Sequence, residues 1–250
     1  MNTNSNVYTV VYTTIVVVIV AAVLAFVSQT LKPKQEENEK AETISQILTA
    51  AQFGEKEHWQ EIGNAATVKF FEENIEGDAA ITSTSQLKAL NYKIKDGSIN
   101  ADELPIYAFS NGISVIPVYG AGLWGPVWGY IALSEDLQTV VGAYFDHESE
   151  TPGLGGKIKD DPSFRAQFAG KKVIYGEGDP FSIVKGGAPE GAENAVDAIT
   201  GATMTSKGLN AAIITWLNAY REEIESARKA VEVLEELAEQ SNAEEEPSNE

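Results

Sequence analysis

Residues 197–206, Asp-Ala-Ile-Thr-Gly-Ala-Thr-Met-Thr-Ser, gather four hydroxyls and one carboxylate around a Gly-Ala pair. Just beyond them Leu209, Ile213, Trp216, Leu217, Tyr220 and Ile224 recur at helical spacing, one apolar face of an α-helix. The segment therefore reads as a small-residue turn presenting hydroxyls at the entrance of an amphipathic helix that starts near Ser206. Two uses follow from the residue types. Thr205 or Ser206 can cap the free amides of the first helical turn, which needs no further function. Alternatively, the Gly201-Ala202 pair lets another group approach the backbone closely, next to a hydroxyl that can be modified.

A second segment invites the same question. Glu150-Thr-Pro-Gly-Leu-Gly-Gly156 carries glycines at 153, 155 and 156, so it is either an ordinary Pro-Gly turn between strands or a backbone surface open to a flat ligand. Trp124 and Trp128 stand in the preceding run, Trp128 read as core and Trp124 left open between core and ligand. His147 and Glu148 read as a pair at the surface end of a strand. Composition narrows the chemistry. The chain has 250 residues, no cysteine and a formal charge of −19, which excludes thiolate metal sites, cysteine nucleophiles and disulfides. It also disfavours nucleic acid as a partner, since phosphate neutralisation needs clustered Lys and Arg. Two histidines far apart in sequence make a poor start for a metal site, and no metal is expected.

The elements that position these segments follow from hydropathy and punctuation. Val7 to Val27 is an uncharged apolar run, and every charged residue lies after position 31. As a helix at about 1.5 Å per residue this run spans a hydrocarbon core roughly 30 Å thick. It lacks the basic leader and small-x-small cleavage site of a signal peptide, so a retained single-span anchor is expected. Lys32 and Lys34 follow the span, and a literal positive-inside reading would put the large domain in the cytoplasm. Residues 32–58 read as a polar stalk passing into a helix, with Ile44, Ile47 and Leu48 at helical spacing. Val68, Phe70 and Phe71 suggest a strand or short helix, and residues 91–105 read as turn-rich. From Gly112 to Gly187, the runs ISVIPVYG, VWGYIALS, TVVGAYFDHE, KKVIYG and FSIVKG are punctuated like sheet strands. The tail 222–250 holds eleven Glu against Arg228 and Lys229; Val231, Leu234 and Leu237 extend the helical pattern, and the end reads as disordered.

The expectation is an α+β protein: a single transmembrane helix, then a mostly antiparallel sheet packed with helices. Its parts are a tail and anchor at 1–31, a stalk and helical linker at 32–58, a ligand-binding domain at 59–221, and an acidic tail at 222–250.

The residues Asp197-Ala-Ile-Thr-Gly-Ala-Thr203 resemble the motif recognised by flavin transferases, which esterify a threonine hydroxyl with the phosphate of FMN taken from FAD. With the N-terminal span, GAGLWGPVWGYIAL at 120–133 and HESETPGLGGKI at 147–158, the chain resembles the C subunit of Na⁺-translocating NADH:quinone reductases over nearly its full length. The acidic extension after about Glu222 is outside that pattern. The related G subunit of Rnf-type ferredoxin:NAD oxidoreductases shares the anchor and motifs, but tends to carry Gly-Gly where this chain has Leu123-Trp124. An anchored extracytoplasmic scaffold without flavin is the reading from a different class.

What the resemblance implies is covalent FMN on Thr203, with Thr205, Ser206, Thr151, Gly153, Leu154, Gly155 and Trp124 around it. Asp197, Thr200, Gly201 and Ala202 would serve transferase recognition. It implies no catalytic acid, base or nucleophile in this chain, because the flavin carries the redox chemistry. It further implies other subunits of a membrane oxidoreductase as partners, with NADH and quinone bound by them. The soluble domain would lie on the periplasmic side of a bacterial inner membrane, against the Lys32/Lys34 bias. A tethered flavin also suits a strongly acidic chain, whose field repels a dissociable FMN phosphate, while a phosphodiester keeps only about one negative charge.

Overall fold

The computed structural model describes residues 6–77, 79–230 and 233. Its first element, α1 (Asn6–Ala50), is an unbroken helix of 45 residues passing through Pro33. It is long and apolar enough to cross a membrane, and none of its most apolar 18-residue window is buried in the domain. A core helix of a soluble protein would hide that surface; this one leaves it bare, as a membrane anchor does. The stretch expected to pass from stalk into a helix continues the same helix without a break, and from Ala41 to Ala50 nearly all of it is buried. Ile44, Ile47 and Leu48 are fully enclosed, so the anchor helix ends as part of the domain core.

Helices α2 (Lys56–Ile62), α3 (Asn64–Asn74) and α4 (Thr84–Asp96) follow. Val68, Phe70 and Phe71 fall within α3, so the helical alternative holds there. The run at 91–105 is only partly turn: its first six residues complete α4, which starts at a Ser83–Gln86 capping box and stops at left-handed Gly97. Lys and Asn early in that run obscured the amphipathic pattern begun by Leu87.

The sheet contains β1 (Tyr107–Ala108), β2 (Ser114–Ala121), β3 (Pro126–Leu133) and β4 (Val140–His147), adjacent in chain order and antiparallel throughout. Helices α5 (Lys157–Asp160) and α6 (Pro162–Ala166) follow β4. Two short strands, β5 (Ser182–Val184) and β6 (Ala195–Asp197), pair in parallel, and α7 (Thr203–Ala219) closes the domain. The run KKVIYG does not form a strand; it touches the sheet through an isolated Thr139–Lys172 bridge. Turn residues at Gly170 and Gly176–Gly178 leave it too little length to pair. Beyond the turn at Tyr220 the chain is helical from 221 to 230, while the expectations for Val231, Leu234, Leu237 and the acidic end lie outside the described residues.

The sheet is covered on both faces. Val115, Tyr130, Ala132 and Tyr144 pack with the end of α1 and with Trp59 and Phe71. Their neighbours Ile116, Val118, Ile131, Ala143 and Phe145 face Leu209, Ile213, Trp216 and Leu217 of α7. Period-two alternation thus divides the side chains between two apolar cores, which explains strands that read as continuous apolar runs.

Candidate functional site

Three segments meet at one end of the sheet. They are the β2–β3 turn at 122–125, the loop 150–156 after β4, and the turn 198–202 leading into α7. Their meeting is organised by Glu150, a carboxylate only 4% exposed. Its Oε1 accepts hydrogen bonds from the amides of Leu123 (2.6 Å) and Trp124 (3.0 Å), and its Oε2 accepts from the Thr205 hydroxyl (2.6 Å). Three donors and no competing donor on the side chain itself are the arrangement a carboxylate satisfies. The loop amide of Glu150 donates in turn to Nδ1 of His147 (3.0 Å). His147 is therefore a brace for the loop and only half-exposed, not simply part of a surface pair.

Two glycines make room for this carboxylate. A Cβ on Gly122 would collide with Glu150 Oε1 and stand 2.8 Å from Val127; one on Gly155 would collide with Oε2 and stand 2.5 Å from the Thr205 hydroxyl. Gly153 has φ of +74°, which a residue with a side chain rarely adopts. The loop is then closed by hydrogen bonds that the Leu154 and Gly156 amides donate to the Thr151 carbonyl. It holds Leu154 against the other turn, where Gly201 (φ +85°) has Leu154 Cδ2 3.1 Å from its would-be Cβ. The glycine-rich loop and the Gly-Ala turn are thus walls of one site.

Helix α7 begins at Thr203, not near Ser206. The capping role considered for Thr205 and Ser206 is absent: no side chain caps this helix. The Thr205 hydroxyl is committed to Glu150, and the Ser206 hydroxyl accepts the Ile199 amide (3.2 Å). Both residues are buried, so their hydroxyls shape the turn from inside. Thr203 is different, being half-exposed on the outer side. The first intrahelical bond runs from the Ser206 amide to the Ala202 carbonyl, leaving the amides of Thr203, Met204 and Thr205 ahead of it. The segments that Glu150 ties together carry apolar side chains exposed to solvent: Trp124 (67%), Met204 (55%), Leu123 (49%) and Leu154 (45%). Large apolar groups grouped beside an uncapped helix start suit a ligand with a flat apolar body and an anionic end.

Of the other expected residues, Thr151, Thr200 and Gly153 are exposed on this end, and Ala202 is buried under the turn. Asp197 lies apart, at the end of β6, where it accepts the Ala188 amide (2.7 Å). Trp128 is half-buried and donates Nε1 to Gln46 Oε1 (3.3 Å). That contact belongs to a network which sequence reasoning missed. Gln46 of α1 also donates to buried Asp146 (3.0 Å), which is paired with Lys159 (2.8 Å). Gln46 and Asp146 are 100 residues apart, and no local pattern signals such a pairing. Glu150 was missed for the same reason, although it opens a segment that stood out for its glycines.

Residues 122–218 match the model of the FMN-binding domain, and the three segments above all fall inside or at the edge of that stretch. The fold is thus an α+β domain on an apolar helix, and its site-bearing stretch is similar to flavin-binding domains. Among characterised proteins the chain is similar to the C subunit of the Na⁺-translocating NADH-quinone reductase. It is 43% identical to the subunit of Vibrio vulnificus over 45% of this chain and 46% of the relative, and 44% identical to that of Yersinia pestis over 41% and 39%. The chain thus spans somewhat less than half the length of the curated relatives it matches. The crystal structure of the corresponding subunit from Parabacteroides distasonis superposes with a TM-score of 0.64 at 28% identity, covering 78% of this chain and 96% of that one. Shewanella oneidensis NqrC has the same fold, with a TM-score of 0.54 at 22% identity over 76% of this chain.

Proposed function

We propose that this chain is a membrane-anchored electron carrier in which Thr203 Oγ bears FMN through a phosphoester. It would serve as the C subunit of a sodium-pumping NADH:quinone reductase. The observation that carries the reading is the position of Thr203: half-exposed, first residue of a 17-residue helix whose N-terminus no side chain caps, next to the turn against which Leu154 packs. Free amides and the helix dipole favour a phosphodiester anion there by about 0.3–1 kcal/mol. No arginine clamp is needed, and in a chain of charge −19 a covalent bond removes the problem of retention.

FMN in this place supplies electron uptake and release. The polypeptide contributes attachment at Thr203, an apolar wall from Trp124 and Leu154, and loop amides for the polar edge of the ring. Gly201 and Gly153 allow close approach, and exposed Asp197, Thr200 and Gly201 are offered to the flavin transferase that would mature the chain, with Ala202 buried beneath them. NADH and quinone would be bound by other subunits. In this reading α1 crosses the membrane once and leaves the domain on the periplasmic side, where the transferase works.

The test is peptide mass spectrometry after co-expression with a flavin transferase. An FMN adduct is expected on the Thr203 peptide and lost in Thr203→Ala. A colourless wild-type chain, or an adduct that survives the substitution, refutes the assignment. Burial of Thr205 argues against that hydroxyl as the alternative acceptor.

A further inference from the structure

Glu150 is the one buried carboxylate at the site among the described residues, and attachment at Thr203 gives it no part to play. It nevertheless touches every segment that forms the site: the turn bearing Leu123 and Trp124, its own loop bearing Leu154, and the first turn of α7 through Thr205. Gly122 and Gly155 are shaped around its two oxygens, with no space for a side chain at either position. No lysine, arginine or histidine side chain reaches its oxygens among the described residues; all three partners are neutral donors. Neutral donors stabilise a carboxylate without cancelling its charge. The fold therefore keeps a negative charge in a water-poor place, bonded to the Leu123 and Trp124 amides and to Thr205, in the loop that packs Leu154 on Gly201.

We propose that Glu150 is a positioning residue that also sets the flavin's reduction potential. It locks the three segments in register, and its charge holds the potential down by opposing the negative charge that reduction brings to the ring. This rests on the flavin reading above. A fixed charge acts strongly here because screening by water is weak in a buried site. The Thr205 hydroxyl is the complementary control, since its bond takes up part of the carboxylate's field.

The experiment is spectroelectrochemical titration of the detergent-solubilised full chain after co-expression with a flavin transferase, with peptide mass spectrometry on the same samples. Glu150→Gln keeps the size and can keep the hydrogen bonds, with its amide donating to Thr205. We expect it to raise the two-electron potential by at least about 30 mV, a tenfold change in the reduction equilibrium. Thr205→Val retains the charge while removing one donor, and it should shift the potential the opposite way. A residue with a purely structural role would not give opposite signs. A Glu150→Gln potential equal to or below wild type, with the Thr203 adduct present, overturns the proposal. If Glu150→Gln does not fold, Thr205→Val decides: a downward shift supports the proposal, and an unchanged or raised potential overturns it. Absence of the adduct from the wild-type chain instead defeats the flavin reading itself, so the two failures are distinguishable.

Discussion

Gly208 lies one turn into α7 where that helix crosses the end of β2. A Cβ at this position would drive into the Ala121 carbonyl oxygen and stand 3.1 Å from Ala121 C and 3.2 Å from Gly122 Cα. Two opposing effects bear on Gly208→Ala. Alanine is the better helix former by about 1 kcal/mol. Against this, the obstacle is backbone, and helix or strand must move by more than about 1 Å to restore ordinary contact. The strand end cannot yield easily: Gly122 donates to the Gly125 carbonyl (2.8 Å), and Glu150 holds the next two amides. Overpacking of this kind costs roughly 1–3 kcal/mol, and rigid surroundings put it at the upper end. Net destabilisation of about 2 kcal/mol follows, or roughly 4–8 °C in Tm for a domain of this size. Thermal unfolding of the full chain in detergent, followed by circular dichroism at a fixed heating rate, measures it. An unchanged or raised Tm would mean that helix propensity wins, and would refute the close crossing of α7 and β2.

Two further predictions concern the frame of the site. Asp136 organises the β3–β4 turn by accepting from Ser134, Thr139 and the amides of Gln138 and Thr139. Partial burial would raise its carboxyl, but these bonds outweigh burial and bring it down to about 2. A depressed value means that its stabilisation is present above about pH 4 and is lost as pH falls toward 2. Asp136→Ala should cost about 1 kcal/mol at pH 7, reduced by solvent screening, and progressively less below pH 4; chemical denaturation at both pH values checks the sign. Gln46→Ala removes the acceptor of Trp128 Nε1 and one donor to buried Asp146. A loss of about 1–3 kcal/mol is expected, read as a lower Tm of the solubilised chain. An unaltered Tm would mean that the end of α1 is not tied to the sheet through this network.

The anchor, three of the long strands and the hydroxyl-bearing turn were legible because each is signalled by residues close in sequence. Val7–Val27 is apolar on every side, and the β2, β3 and β4 runs are bounded by Gly, Pro and Asp. Boundaries were less legible where local signals conflict. Thr203 carries no obvious start signal, and α7 begins there without a side-chain cap. The last two turns of α1 read as helix from Ile44, Ile47 and Leu48, but their polar neighbours Ser45, Gln46 and Thr49 gave no sign that they too are buried. Only the partner surface of β3 and β4 reveals that face as core.

Sequence by itself therefore determined the class of elements and the apolar span, since hydropathy period and turn chemistry act within a few positions. Tertiary structure alone decided that Glu150 joins the Trp124 turn to Thr205, 55 residues away. It likewise decided that Gly208 must lack a side chain, and that the anchor helix reaches Asp146 through Gln46. These are consequences of long-range burial. A carboxylate or amide buried beside distant backbone must find its donors wherever the packed chain brings them.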